Sequence, residues 1–100
     1  MLKNAKPVIV EYWAEWCPPC RQVGPVLDAI AAEHAATVDV VKLNLDDNPQ
    51  TAQKYAVLQV PTISLFSGGE VVRQVIGARS KSSLLREFGD FIKGPAGIAG

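Results

Sequence analysis

Trp13-Ala14-Glu15-Trp16-Cys17-Pro18-Pro19-Cys20 holds the only two cysteines of the 100-residue chain and sits between segments of different periodicity. Before it, Pro7 to Trp13 (PVIVEYW) is nearly continuously apolar and rich in β-branched and aromatic residues, the pattern of a strand covered on both faces. After it, Val23, Val26, Leu27, Ile30 and Ala31 recur at spacings of three and four. That predicts one apolar face of a helix running to about Ala35, kinked by Pro25 within it. A Cys-x-x-Cys at a strand-to-helix junction is what a reversible dithiol requires, because the two sulfurs meet across one turn. The free amides and dipole of the helix N-terminus favour the thiolate of the first sulfur, which makes Cys17 the attacking and Cys20 the resolving cysteine.

Other uses of such a pair remain open at this level. Half of a zinc site would need further ligands. His34, a few turns down the helix, is the one further histidine or cysteine. It reads instead as decoration or cap of the helix end. A c-type haem would need His after the second cysteine, where Arg21 stands. An inert buried pair would not need two prolines and a tryptophan around it. Two cysteines this close also cannot staple a secreted scaffold. Neither a metal nor a bound cofactor is expected.

Further along, Thr37 to Leu43 (TVDVVKL) predicts a second strand, and Asn48-Pro49 the start of a short helix with Asn48 as cap. Ile63 to Phe66 and Val71 to Ile76 predict two strands joined by Ser67-Gly68-Gly69-Glu70, a strong hairpin signal. Ser80 predicts the cap of a last helix, with Leu84, Leu85, Phe88, Phe91 and Ile92 on its core face. The order β-α-β-α-β-β-α implies an α/β fold: a mixed sheet with helices on both faces. One domain over residues 1–93 is expected, followed by an aperiodic, disordered tail over 94–100.

Ten basic and ten acidic side chains cancel, so no field draws in nucleic acid or an anionic membrane surface. Hydrophobic residues make up 48% of the chain but form no membrane-length run. The opening MLKNAKPVIVEYW, broken at Glu11, lacks the pattern of a secretory signal and predicts a cytoplasmic protein, although a mature fragment of an exported one would read the same.

Trp13-Ala14-Glu15-Trp16-Cys17 with Cys20, Pro25, Lys42-Leu43-Asn44-Leu45-Asp46, Asn48-Pro49, Val60-Pro61-Thr62 and Gly77 resemble the thioredoxin family in order and spacing, over about residues 5 to 93. The resemblance implies a thioredoxin-like fold and reduction of protein disulfides by dithiol exchange. It also implies a separate recycling reductase of the thioredoxin-reductase type. Thioredoxins begin with a further strand and helix, and this chain starts near the end of that helix, so the sheet is expected to have four strands. The segment 37–43 would then be an open edge, a route to weak self-association.

The resemblance also distributes roles. Pro61 would be a cis-proline facing the dithiol, where sequence alone leaves cis and trans even, and the backbone of Val60 would pair with an extended substrate. Trp16 would shield the sulfurs and wall the contact surface, which Pro18, Pro19, Gly77 and Ala78 extend, though Gly77 also reads as an ordinary strand end and Trp13 as core or site. Glu11 stands where the family usually has Asp, a buried acid that assists proton transfer at the second cysteine. Lys42 on the adjacent strand is its expected partner, and the alternative is that Glu11 merely snorkels to solvent or forms a structural ion pair. The Pro-Pro dipeptide replaces Gly-Pro, a form also seen in extracytoplasmic relatives. An exported oxidant or isomerase, and a non-catalytic peptide-binding module, therefore stand beside the reductase.

Overall fold

The computed structural model describes residues 6–92. Four strands and three helices follow in the order β1 (Val8–Trp13), α1 (Pro18–Glu33), β2 (Asp39–Asn44), α2 (Pro49–Lys54), β3 (Thr62–Ser67), β4 (Glu70–Ile76) and α3 (Lys81–Ile92). The sheet runs β2-β1-β3-β4, with β1 parallel to β2 and antiparallel to β3, and β3 antiparallel to β4. The two apolar segments, β1 and β3, are therefore central and buried, while the more polar β2 and β4 form the edges. The expected tail over 94–100 lies outside the described residues.

Alternation along β1 divides the molecule into two layers. Ile9 points to the side of α1 and α3, where it joins Val23, Leu27, Ile30, Leu84 and Phe88 in the larger core. Val8, Val10 and Tyr12 point the other way, onto Ala52, Val57 and Phe66 under α2. Glu11 and Trp13 share the face of Ile9, so the fold delivers both to the start of α1. Each fully buried aliphatic side chain in these layers contributes roughly 1.5–3 kcal/mol relative to exposure.

The hairpin forms as its sequence predicts. Ser67 pairs with Glu70, and Gly68 and Gly69 take φ of 63° and 85°. This is the left-handed pair that a two-residue hairpin turn needs. Ser80 caps α3, its hydroxyl accepting the Ser83 amide at 3.1 Å. Three boundaries differ from expectation. α1 passes through Pro25 unbroken but ends at Glu33, because the amides of Thr37 and Val38 turn back to the His34 carbonyl. That turn delays β2 to Asp39. Asn48 occupies the cap position of α2 without capping it: its side-chain amide donates instead to the Asn44 carbonyl at 3.0 Å.

Candidate active site

Cys17 and Cys20 are joined in a disulfide at the N-terminus of α1, with Cα atoms 5.4 Å apart. Cys17 has extended backbone (φ −109°, ψ 98°) and stands at the cap position, while Pro18 and Pro19 form the first helical residues. Proline is tolerated there because its missing N–H would have had no intrahelical partner. The missing donors have a chemical consequence. The Cys17 sulfur accepts the Cys20 amide at 3.3 Å. No amide from the intervening pair can be added to it.

Both cysteines are buried, at 3% and 4% exposure. In the disulfide the two share one apolar nest with Ala14, against which Trp13 and Val60 pack. Trp16 is 65% exposed, and its indole N–H donates to Asp46 Oδ2 at 2.9 Å, so it presents a broad apolar face to solvent while Trp13 supplies packing on the nest. The backbone is the reason. Trp13 ends β1 on the face toward α1, whereas Trp16 lies in the turn before the helix.

The Val60–Pro61 peptide is cis. Gly77 closes onto it, its amide donating to the Pro61 carbonyl at 2.8 Å. Its φ of 95° is the left-handed conformation that glycine adopts freely. The dithiol, Val60, Pro61 and Gly77 are thus brought to one end of the sheet. Ala78 follows Gly77 on the surface, and Pro18 and Pro19 are exposed beside the cysteines.

Glu11 is 2% exposed on the central strand. Burial pushes its carboxyl up, the positive charge of Lys42 draws it down and Asp28 raises it again, leaving it at about 7 against an ordinary 4.5. Lys42 is its register neighbour on β2, but the expected Glu11–Lys42 ion pair does not form. The Lys42 ammonium bonds to Asp28 Oδ1 at 2.8 Å. A groove of about 220 Å³ runs behind the disulfide, lined by Glu11, Trp13, Cys20, Arg21, Gly24 and Lys42. It links the buried acid to Cys20. The bonds made by Asp28 and Asp46 left no sequence signal, since each partner lies far along the chain.

Among the described residues, no group of three or more His, Cys, Asp or Glu side chains is placed to hold a metal ion, and no helix is long and apolar enough to cross a membrane.

The family model for thioredoxin matches residues 1–89. The chain belongs to the thioredoxin family. It is 54% identical over 86 residues to a thioredoxin of Streptomyces clavuligerus, covering 86% of this chain and 79% of that one. It is 46% identical over 92 residues to a thioredoxin of Mycobacterium tuberculosis, covering 92% and 79%. A bifunctional thioredoxin reductase/thioredoxin of Mycobacterium leprae is 44% identical over 92 residues, which are 92% of this chain and 20% of that protein. With the joined cysteines at the helix start, the chain is a thiol–disulfide oxidoreductase of the thioredoxin type, a protein-disulfide reductase.

Proposed function

We propose that Cys17 opens the disulfides of protein substrates and Cys20 resolves the product, with Glu11 accepting the Cys20 proton. The observation that carries this reading is the placement of Cys17 at the cap of α1 under Val60, with Glu11 and Cys20 lining one groove behind it. In the reduced protein the Cys17 thiolate attacks one substrate sulfur, forms a mixed disulfide and expels the other sulfur as thiolate. Glu11 then takes the proton of the Cys20 thiol. The Cys20 thiolate attacks Cys17, the Cys17–Cys20 bond forms, and the second substrate sulfur leaves with its electron pair. Two electrons pass to the substrate, and the domain ends as the disulfide. The dithiol is itself the redox group, so this cycle uses no bound cofactor.

The substrate surface is the exposed ring around the nest: Trp16, Pro18, Pro19, the backbone of Val60, and Gly77 with Ala78. An extended peptide would lie along Val60 and approach closely at Gly77, where no side chain intervenes. Lys42 modulates the charge felt by Glu11. A thioredoxin-reductase-type enzyme would return the domain to the dithiol. Support comes from the Mycobacterium leprae relative, whose name joins the two activities in one chain. Such a cycle suits a reducing compartment, the cytoplasm.

Trapping tests the assignment. Cys20→Ser should accumulate mixed disulfides with protein substrates and Cys17→Ser none, and alkylation of the reduced protein near neutral pH should label Cys17 first. Preferential labelling of Cys20, or trapping by Cys17→Ser, would reverse the roles.

A further inference from the structure

The groove behind the disulfide is bounded on one side by a cation held at a particular place. A Cβ on Gly24 would lie 3.7 Å from Lys42 Nζ, so the ammonium rests over the bare backbone of α1. Four residues on, one turn further along that helix, Asp28 takes the ammonium at 2.8 Å. The carboxyl of Glu11, the register neighbour of Lys42, makes neither a hydrogen bond nor an ion pair among the described residues.

We infer that Asp28 is a positioning residue for proton transfer: by anchoring Lys42 over Gly24 it keeps the cation off the Glu11 carboxyl, which stays available to Cys20. The inference rests on the reading of Glu11 as proton acceptor given above.

Few other charges face Glu11. α1 contributes Cys20, Arg21 and Asp28, and the Arg21 guanidinium is turned to the Glu15 carbonyl at 3.0 Å. β2 contributes Lys42. The neighbour on β3 is Ile63, and α3 meets this layer with Leu84, Phe88 and Ile92, all apolar. A carboxyl paired directly with an ammonium in such a setting would be held in its charged form and would exchange protons poorly near neutral pH. Drawing the ammonium toward solvent avoids that. Asp28 and Lys42 both reach solvent, with side chains 67% and 39% exposed, so the anchor can be removed without opening the core.

The oxidised protein isolates the effect, because neither sulfur titrates in it. Glu11 would be followed by carboxyl-carbon NMR, with the resonance assigned by its loss in Glu11→Gln. In Asp28→Asn the Glu11 midpoint should fall by about one unit, the low end of what a nearby opposite charge produces. Most of that fall should disappear when Asp28→Asn is placed on Lys42→Met, because no cation is then left to redirect. The pH profile of mixed-disulfide resolution should shift downward in Asp28→Asn by a similar amount. An unmoved Glu11 midpoint in Asp28→Asn would overturn the inference, as would an equal fall on the Lys42→Met background, which would make Asp28 a mere neighbouring charge. Either result, with resolution still slowed in Glu11→Gln, leaves the role of Glu11 standing. Resolution unaffected by Glu11→Gln would overturn both.

Discussion

Glu11 and Lys42 are register partners in the parallel pair of β1 and β2, yet the Lys42 ammonium is bound to Asp28 on α1 and not to Glu11. A buried acid left without a direct counter-ion holds its proton more tightly in the folded chain than in the unfolded one.

That difference makes stability depend on pH. The Glu11 carboxyl is raised from 4.5 to about 7, so its contribution is fully present below the unfolded value and is lost as pH rises through the folded one. Glu11→Gln removes this dependence. From about pH 4 to about pH 8 the oxidised wild type should lose up to about 3 kcal/mol relative to the variant, the linkage equivalent of the shift. Denaturant unfolding at the two ends of that range checks it, and parallel pH profiles would show that Glu11 titrates normally.

The two tryptophans should separate stability from activity. Trp13 packs on the cysteine nest, so Trp13→Ala should cost on the order of 2 to 3 kcal/mol. Trp16 is mostly exposed, and Trp16→Ala should cost less than about 1 kcal/mol while slowing exchange with a folded protein disulfide. Thermal unfolding together with turnover of insulin, a generic disulfide substrate, distinguishes them. A large stability loss in Trp16→Ala would show that it packs over the sulfurs and not only against a partner.

Gly77 joins β4 to the Pro61 carbonyl with a left-handed backbone and open space where a side chain would begin. Gly77→Ala should therefore cost about 1 to 2 kcal/mol through backbone conformation alone, since no steric clash adds to it. KM should rise more for a protein substrate than for a small disulfide, because only the former approaches along this edge. Equal changes for both would remove Gly77 from the contact surface.

Local chemistry made much of this legible in the sequence. The run PVIVEYW, the Gly68-Gly69 turn and the Ser80 cap each specify their own backbone, and Cys17-Pro18-Pro19-Cys20 specifies a dithiol at a helix start. What stayed hidden depends on contacts between distant residues. Asn48 has the composition of a cap, but the carbonyl of Asn44 competes for its side chain. Lys42 has two acids within reach, and only the placement of α1 beside β2 decides for Asp28. The irregularity between Leu65 and Phe66, where β3 and β4 slip in register, leaves no mark in an apolar strand. Which tryptophan covers the cysteines follows from where β1 ends, a boundary that composition does not fix.

The direction of electron flow is the central claim, and the donors at Cys17 bear on it. An oxidising dithiol has a reduced form stabilised by groups that hold the first sulfur as a very acidic thiolate. Pro18 and Pro19 bring no N–H. The Cys20 amide at 3.3 Å is the donor recorded at the Cys17 sulfur. The reduced form is then only moderately favoured, and the dithiol should be a good electron donor. Equilibration of the protein in a glutathione redox buffer, with the oxidised and reduced fractions read directly, measures this. A potential nearer to the about −270 mV of thioredoxin than to the about −120 mV of the strong periplasmic oxidants is the predicted result. A potential close to the oxidant value, with the reduced protein more resistant to denaturant than the oxidised, would contradict the reductase account.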